Sequence, residues 1–347
     1  MLSIATANPP VDLPQAEVAA AARGLFAERY PEFARLSRVF ESSGIDRRQS
    51  VRPIPWFAET HDWPERTAVY LEGADLLFAE AAERALGDAG LQASDVDQIV
   101  TVSSTGVATP SLEARAMRRM GFRTDVQRVP VFGLGCAGGV SGLSIAARLA
   151  EARPGSVVLM VAVELCTLAF RLDELTKANV VATALFGDGA AAVVLRAGEA
   201  GEGLARVEGS GEHTWPDTLD VMGWNVDPVG FGVIFAQSIP VFARRHVAPA
   251  VHGVLDRLGC APAAVDRFVC HPGGAKVIEA LETSLEMPAG TLDVEREVLR
   301  EHGNMSSPTA LFVLKRVLEA GVPDRSVLLA LGPGFTASAV SLVRPDA

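Results

Sequence analysis

The sequence is poor in cysteine and in positive charge, and these two shortages argue against certain metal sites and certain partners. The 347 residues include four cysteines, none in a C-x-x-C pair, which argues against a zinc site and favours a reducing compartment. Asp and Glu outnumber Lys and Arg by 42 to 31, and the resulting net charge of −11 argues against nucleic acid as a partner. An anionic ligand would therefore need a local basic patch or helix N-termini.

Signals for secretion and for membrane insertion are also missing. The first ten residues contain no basic segment followed by an apolar run. The most apolar stretch, 157–170, is interrupted by Glu164 and is too short to span a bilayer. We therefore expect a cytoplasmic protein without stable membrane insertion. An apolar share of 49% is enough for a large core, and the length suits one large domain or two closely packed halves.

A glycine-flanked cysteine marks the most informative stretch of the chain. The apolar run 129–132 stops just before Cys136, and apolar residues then recur at helical spacing, at Val140, Leu143 and Ala150. This pattern predicts a strand, a tight turn and a helix that begins at Cys136. Unpaired N–H groups and the positive end of the helix dipole stabilise a thiolate at such a place, which favours a nucleophile. A small, buried and inert thiol beside a turn is the structural alternative.

Three short segments recur at nearly the same separation. Segment 96–100 resembles 265–269, the helix after Cys136 resembles the helix after Asn304, and 156–159 resembles 326–329, with offsets of 169, 168 and 170 residues. The repeat predicts two similar α/β halves, 1–200 with the nucleophilic cysteine and 201–347 with histidine and asparagine. It also places Asn304 in the second half where Cys136 stands in the first.

Histidine and asparagine are predicted to join the cysteine at one crevice. His271 follows the strand that matches 96–100, and strand ends of this kind face a shared crevice in α/β sheets. Two N–H donors, on His271 and Asn304, could hold a thioester carbonyl as its negative charge develops. Taken singly, His271 could be a structural residue and Asn304 a turn or N-cap residue. The repeat argues that their placement with Cys136 is functional.

Five motifs now form a familiar set. They are Gly-Cys-Ala-Gly-Gly at 135–139, Phe-Gly-Asp-Gly-Ala at 186–190, His-Pro-Gly-Gly at 271–274, Gly-Asn-Met-Ser-Ser at 303–307 and Gly-Pro-Gly-Phe-Thr at 332–336. Together they resemble type III polyketide synthases, the chalcone-synthase-like family, over nearly the whole chain. The resemblance implies a thiolase-like α/β fold, with two pseudo-symmetric halves forming a layered α-β-α-β-α core. It also implies a homodimer that needs no metal or organic cofactor, with CoA thioesters only as substrates.

The resemblance also implies a mechanism. Cys136 takes a starter acyl group from CoA, and His271 and Asn304 hold malonyl-CoA while it loses carbon dioxide. The carbanion attacks the acyl-Cys136 thioester, the longer chain returns to the cysteine, and after a few rounds it cyclises.

Several positions differ from the family pattern, and these differences affect which starter acyl group the enzyme is expected to accept. Phe186 matches one gatekeeping phenylalanine of the family, but Val233 stands where the family has the second. Thr109 stands where plant members have a loop methionine that closes the partner's cavity, and Ala169 stands where they have a pocket threonine. These smaller residues predict a wider or longer cavity, whose remaining lining is expected from Ser104, Glu164, Cys166, Leu168 and Ser306.

A long apolar starter is the expected substrate. Apolar burial contributes about 0.8 kcal/mol per methylene, so an aliphatic tunnel would select long chains. The segments 166–168 and 222–224 also resemble those of bacterial members that make alkylresorcinols or alkylpyrones. We therefore expect a fatty acyl-CoA starter. For the CoA phosphates, the resemblance points to Arg47 and Arg48, although Asp46 stands at one usual basic position. Because helix N-termini bind phosphate, we expect the start of the helix after Gly273 and Gly274 to assist.

Two alternatives stay open from the sequence. A ketoacyl synthase III-like condensing enzyme of fatty-acid synthesis shares the Cys, His and Asn set, but that family typically has His-Gln-Ala-Asn where this chain has His-Pro-Gly-Gly at 271–274. A non-catalytic acyl-CoA-binding or lipid-binding module on the same fold has no use for all three polar residues.

Overall fold

The computed structural model describes residues 1–198 and 203–345. The strands of this part of the chain are β1 (Ser3–Ala7), β2 (Val11–Pro14), β3 (Arg47–Ser50), β4 (Gln98–Val102), β5 (Gln127–Val131), β6 (Val157–Leu165), β7 (Asp188–Arg196), β8 (Arg206–Thr214), β9 (Met222–Asp227), β10 (Gly230–Phe235), β11 (Arg267–Cys270), β12 (Arg325–Gly332) and β13 (Thr336–Val343). The predicted boundary between the halves, at residue 200, lies outside the described residues.

The helices in the same ranges are α1 (Gln15–Phe26), α2 (Phe33–Leu36), α3 (Arg38–Ser42), α4 (Ile54–Phe57), α5 (Trp63–Asp88), α6 (Leu112–Met120), α7 (Gly138–Ala152), α8 (Lys177–Leu185), α9 (Ile239–Arg257), α10 (Ala275–Ser284), α11 (Asp293–His302) and α12 (Thr309–Ala320). Short 3₁₀ turns occupy 93–95, 135–137, 166–169 and 262–264. None of the described helices is both long and apolar enough to cross a membrane.

Two mixed sheets form the framework, and their strand orders reveal the internal repeat. The first sheet runs β1-β7-β6-β4-β5, with β6, β4 and β5 parallel to one another and β7 antiparallel to β6. The second runs β11-β12-β13-β8, again with a parallel pair followed by an antiparallel strand. The repeated segments fall on β4 and β11, on α7 and α12, and on β6 and β12.

Helices α7 and α12 lie between the two sheets and fill the centre of the molecule. Their apolar residues, among them Leu143 and Leu311, form one cluster with Val102 of the first sheet and Leu328 of the second. Helix α5 covers the outer face of the first sheet, and α9 and α10 cover that of the second. The resulting α-β-α-β-α layering is the predicted thiolase-like architecture.

Glycines in α7 allow the close packing that places the cysteine. A Cβ at Gly139 would lie 2.1 Å from the carbonyl oxygen of Ser307, just before α12, and one at Gly142 would lie 2.5 Å from Met160 Cε on β6. Larger residues would push α7 away from its neighbours, and Cys136 would move with it.

Several elements differ from the sequence prediction. The predicted helical region 15–39 divides into α1, α2 and α3, because Pro31 and its neighbours interrupt it. The predicted loop 42–55 contains β3, which pairs with β2, and the start of α4. Helix α8 was not predicted because adjacent valines within it have low helix propensity, yet the Thr176 hydroxyl accepts the Asn179 N–H at 3.2 Å and caps it.

Candidate active site

Cys136 lies in the 3₁₀ turn that connects β5 to α7, as the sequence predicts. Gly135 adopts φ +47°, and a Cβ there would lie 2.6 Å from Pro333 Cδ. The backbone N–H groups of Gly133 and Gly135 donate to Ser104 Oγ at 3.1 and 3.2 Å. Ser104 therefore holds the turn that presents the thiol.

His271 directly follows β11, and its backbone N–H donates to the carbonyl of Leu329 at 2.8 Å. The residue is 5% exposed, and neither ring nitrogen has a hydrogen-bond partner in the described part of the chain. Burial lowers the pKa of His271 to about 3, so the ring is neutral near pH 7. A neutral imidazole keeps one N–H donor and one acceptor, and both are free for a substrate.

Asn304 stands at the end of α11, where the backbone needs glycine before it. Gly303 has φ +66°, and a Cβ there would lie 2.7 Å from the carbonyl oxygen of Leu185. Asn304 Oδ1 accepts the Ser306 N–H at 2.8 Å, and Nδ2 donates to the carbonyl of Gly273 at 3.2 Å. Cys136 Sγ lies 4.0 Å from Asn304 Oδ1.

The three predicted catalytic residues line one cavity. It holds about 390 Å³ of space, open solvent included, and its remaining walls are apolar apart from the backbone: Met222, Phe235, Ile239, Gly273, Val277, Leu281, Leu329, Ala330 and Leu331. The structure therefore brings the cysteine, the histidine and the asparagine together at one cavity, as the sequence predicts.

Burial opposes the stabilised thiolate that the turn and the helix start predict. Burial raises the pKa of Cys136 to about 11, and the negative charge of Glu164 also raises it, although hydrogen bonds with Ser306 and Asn304 act in the opposite direction. The apolar walls disfavour an isolated charge more strongly than the start of α7 favours it. The Cys136 thiol is thus harder to ionise than an ordinary cysteine, and it shares its cavity with the neutral imidazole of His271.

Glu164 lies at the end of β6, fully buried, and connects three segments around the cysteine. It accepts hydrogen bonds from the Ser104 N–H at 2.9 Å, from Thr105 Oγ1 at 2.8 Å and from Ser307 Oγ at 2.8 Å. Burial raises its pKa to about 7 despite these bonds. The sequence indicated Glu164 and Ser104, but it carried no signal for Thr105 and Ser307 as their partners.

The predicted opening at Val233 and Ala169 is not found. These two residues pack with Ala182 in a small apolar cluster, against which Phe186 and Trp224 lie. Neither residue lines the cavity at Cys136. Trp224, which the sequence indicated only as part of the segment 222–224, donates from Nε1 to the carbonyl of Ser104 at 2.7 Å and packs against the small residues.

The other predicted pocket residues divide into two groups. Cys166 and Leu168 are buried in the 3₁₀ turn after β6, and Ser306 is buried with φ +58° beside Asn304. Phe186 contacts the Trp224 ring at a centroid distance of 6.1 Å, and its backbone bridges to Asn304. Thr109, by contrast, is exposed on the loop between β4 and α6.

The predicted CoA contact of Arg48 is wrong, whereas that of Arg47 stays a prediction. Arg48 is 1% exposed and donates from Nη1 to the carbonyl of Ala184 at 2.6 Å, so surface phosphates cannot reach it. Arg47 is exposed, but its charge acts on Glu301 and His302. Adjacent residues of a strand point to opposite faces, so β3 buries Arg48 and leaves Arg47 exposed.

A basic groove lies elsewhere and meets the cavity. It holds about 1360 Å³ of space, open solvent included, and shares Phe235, Gly273 and Val277 with the cavity at Cys136. Gly274, one of the predicted CoA-binding residues, also lines the groove, and the cationic residues of the groove are Arg35, Arg38, Lys177 and Lys276. The signal in the sequence was the i, i+3 spacing of Arg35 and Arg38 in the helical region before the predicted loop.

Comparison with known proteins decides the family. Residues 59–199 match the model of the N-terminal domain of chalcone and stilbene synthases, and residues 207–344 match the model of the C-terminal domain. The chain belongs to the chalcone and stilbene synthase family. It is a type III polyketide synthase with a thiolase-like fold, an acyltransferase that condenses CoA thioesters.

The chain is similar to bacterial enzymes in sequence and to solved type III polyketide synthases in structure. The 1,3,6,8-tetrahydroxynaphthalene synthase of Streptomyces peucetius subsp. caesius is 40% identical over 98% of this chain and 92% of the relative. A putative chalcone synthase of Bacillus subtilis (strain 168) is 36% identical over 97% and 96%. The crystal structure of the tetrahydroxynaphthalene synthase of Streptomyces coelicolor A3(2) aligns with a TM-score of 0.93 and 30% identity over 100% and 99%. CsyB complexed with CoA-SH aligns at 0.91 with 26% identity over 99% of both chains.

Proposed function

We propose that this polyketide synthase loads an acyl starter on Cys136 and extends it with malonyl-CoA. The observation that carries the proposal is that Cys136, His271 and Asn304 line one cavity, which opens to a basic groove. The Cys136 sulfur attacks the starter thioester carbonyl, the CoA thiolate leaves, and the acyl group stays on the cysteine. The Cys136 proton passes to His271 and then to the departing CoA thiolate, which leaves as CoA-SH and returns the imidazole to its neutral form.

His271 and Asn304 then hold the malonyl thioester carbonyl. The neutral imidazole donates its N–H, and Asn304 Nδ2 exchanges its bond to the Gly273 carbonyl for one to the substrate oxygen. Loss of carbon dioxide leaves an enolate, which attacks the acyl-Cys136 carbonyl. A carbon–carbon bond forms, the Cys136 sulfur leaves, and the extended chain returns to it. These steps use CoA thioesters as substrates and need no metal or organic cofactor.

The basic groove is the proposed site for the CoA phosphates. Four cations and the N-terminal end of α10 face it in a chain whose net charge is −11. We expect Arg38→Glu to raise KM for malonyl-CoA about tenfold, with kcat nearly unchanged, and the increase to grow at low salt. Arg29→Glu is the matched control, because Arg29 is exposed but does not line the groove. Equal KM values in both variants would contradict this assignment.

For the starter we propose a fatty acyl-CoA and for the product an alkylpyrone or alkylresorcinol. The resemblance of segments 166–168 and 222–224 to bacterial alkylpyrone and alkylresorcinol synthases supports this choice, as do the apolar walls around Cys136. A second candidate is the synthesis of tetrahydroxynaphthalene, the product for which relatives at 31–40% identity are named. Trp224 favours it, because this ring occupies space beside Phe186 that a bulky starter could use.

Product analysis separates the two candidates. The enzyme is given malonyl-CoA alone and malonyl-CoA with acyl-CoA starters of 2 to about 16 carbons, and the products are identified by liquid chromatography and mass spectrometry. Alkylated pyrones or resorcinols that form only with long starters support the first candidate. A naphthalene product from malonyl-CoA alone, unaffected by long starters, would replace it with the second.

We also propose that the enzyme is a homodimer that joins through the edge of the first sheet. Strand β5 is an edge strand, and Phe132 and Val107 nearby are 56% and 50% exposed. An unpaired edge with exposed apolar side chains is a surface that proteins cover. Sedimentation should give a dimer for the native enzyme and a monomer for Phe132→Glu, whereas a monomeric native enzyme would contradict the proposal.

A further inference from the structure

The second sheet lacks a strand that the first sheet has. In the first sheet β4 pairs with β6 on one side and with β5 on the other, and the chain leaves β5 to reach Cys136. In the second sheet the matching strand β11 pairs with β12, but no strand of the described chain pairs with its other side. Helix α11 occupies the part of the sequence where the repeat would put the missing strand, and it leads to Asn304.

The free side of β11 leaves a buried backbone donor that needs an acceptor. Cys270, the last residue of β11, is 0% exposed. Thr101, which stands 169 residues earlier on β4, lies in the ladder with β5, opposite Pro130. The Cys270 N–H instead donates to Glu295 Oε1 at 3.0 Å. A carboxylate on α11 thus supplies the acceptor that a neighbouring strand supplies in the first half.

The Glu295 carboxylate is itself held firmly. Its side chain is fully buried, and its Oε2 accepts a hydrogen bond from Arg267 Nη2 at 2.5 Å. Arg267 is the first residue of β11, so Glu295 bonds to both ends of that strand. Val298 and Leu299, about one turn further along α11, are 0% and 1% exposed. This face of α11 is therefore packed in the core, and the carboxylate has a fixed position.

Strand β11 and helix α11 each carry one of the two proposed donors to the malonyl carbonyl. Strand β11 ends just before His271, and α11 ends two residues before Asn304. The His271 ring has no hydrogen-bond partner among the described residues, so its position depends on the backbone that carries it. That backbone is held by Leu329 on one side and by Glu295 on the other. Two donors stabilise a developing oxyanion only when both point at the same oxygen.

From this geometry we infer that Glu295 is a positioning residue, which fixes the strand end at His271 relative to the helix end at Asn304. The inference rests on the proposed role of these two residues in decarboxylation. Glu295 lines neither the cavity at Cys136 nor the basic groove, so it acts through His271. A displacement of about 1 Å at a reacting group can cost about 100-fold in rate, which makes such a fixed link effective.

Two substitutions separate the bond to Cys270 from the ion pair with Arg267. Glu295→Asp keeps the charge, and the long Arg267 side chain can follow the shorter carboxylate, whereas the Cys270 N–H is fixed in β11. Glu295→Gln removes the charge and keeps an oxygen acceptor at the same reach. We expect the aspartate variant to release labelled carbon dioxide from malonyl-CoA about tenfold more slowly per folded enzyme. The glutamine variant should stay within about twofold of the native rate, although loss of the buried ion pair makes it the less stable variant in urea.

Glu282→Asp is the matched control. Glu282 is a buried carboxylate on α10, and all hydrogen bonds of its side chain in the described part of the chain go to residues 290–296, among them Arg296 at 2.7 Å. It does not bond to β11. The control should therefore change the rate per folded enzyme by less than about twofold. Urea unfolding supplies the folded fraction by which each rate is divided.

Three results would overturn the inference. They are a native rate in Glu295→Asp, an equal loss of rate in Glu282→Asp, and a glutamine variant slower than the aspartate variant, which would assign the effect to the ion pair. His271→Ala, measured in parallel, tests the proposed function separately. Unchanged release of carbon dioxide in that variant would overturn the proposed function and the inference with it, whereas slowed release beside a native Glu295→Asp rate would overturn the inference alone.

Discussion

Glu164→Gln removes a buried charge beside the nucleophile while keeping the shape of the side chain. In the native protein one carboxylate oxygen accepts the Ser104 N–H and Thr105 Oγ1, and the other accepts Ser307 Oγ. The glutamine carbonyl can accept the first two bonds, and its NH₂ can donate to the Ser307 hydroxyl. The substitution therefore tests the charge with little change in hydrogen bonding.

The expected effect is a change in how stability depends on pH. The pKa of Glu164 is about 7 in the folded protein and 4.5 as its ordinary value. Between these values the folded state binds more protons than the unfolded state, so the free energy of unfolding falls as pH rises. The difference corresponds to about 3 kcal/mol, lost progressively between about pH 4.5 and pH 7. The glutamine variant lacks this loss.

Urea unfolding of both proteins at about pH 5 and pH 8 measures the effect. Asp188, whose pKa burial raises to about 6, contributes a similar slope to both proteins, so it cancels in the comparison. We expect the stability of the native protein relative to Glu164→Gln to fall by about 3 kcal/mol over this range. Alkylation of Cys136 should also be faster in the variant, because the charge of Glu164 helps raise the pKa of the thiol. The same pH slope in both proteins would refute the reasoning.

Three further predictions concern packing and catalysis. Gly139→Ala places a Cβ 2.1 Å from the Ser307 carbonyl and should destabilise the protein by about 1–3 kcal/mol in urea unfolding, whereas Gly24→Ala, with open space around it, should be neutral or stabilising by up to about 1 kcal/mol. Val233→Phe should overpack its apolar cluster and lower stability by about 1–3 kcal/mol without changing the preference for long starters, and a shift in that preference would show that Val233 lines the acyl site after all. His271→Ala should slow release of labelled carbon dioxide from malonyl-CoA about 100-fold or more, and an unchanged rate would remove His271 from decarboxylation.

The sequence predicted the elements that dominate the core. Strands β4, β6, β12 and β13 are buried along nearly their whole length, and the continuous apolar run 157–163 of β6 marks that strand without tertiary information. The internal repeat then placed Cys136 and Asn304 at equivalent positions, which a single motif could not have done. The small elements β2, β3 and α8 escaped prediction because contacts with distant segments decide them.

The substrate site was less predictable for the same reason. Correspondence by spacing placed Val233 and Ala169 in the cavity, but which side chain fills freed space depends on Trp224, whose hydrogen bond to the Ser104 carbonyl spans 120 residues of sequence. Arg48 looked like a surface cation because its basic stretch is polar, yet the pairing of β3 with β2 buries it. The pKa of Cys136, a residue of the first half, likewise depends on apolar walls that the second half of the chain supplies.

Peptide mass spectrometry of the loaded enzyme tests the central claim most directly. The native enzyme is incubated with dodecanoyl-CoA without malonyl-CoA, quenched in acid and digested, with Cys136→Ala treated in parallel. We predict a dodecanoyl thioester on the peptide that contains Cys136, its disappearance after addition of malonyl-CoA, and no such adduct in the alanine variant. An acyl adduct confined to another residue, or one on Cys136 that malonyl-CoA does not discharge, would contradict the claim that Cys136 carries the growing chain.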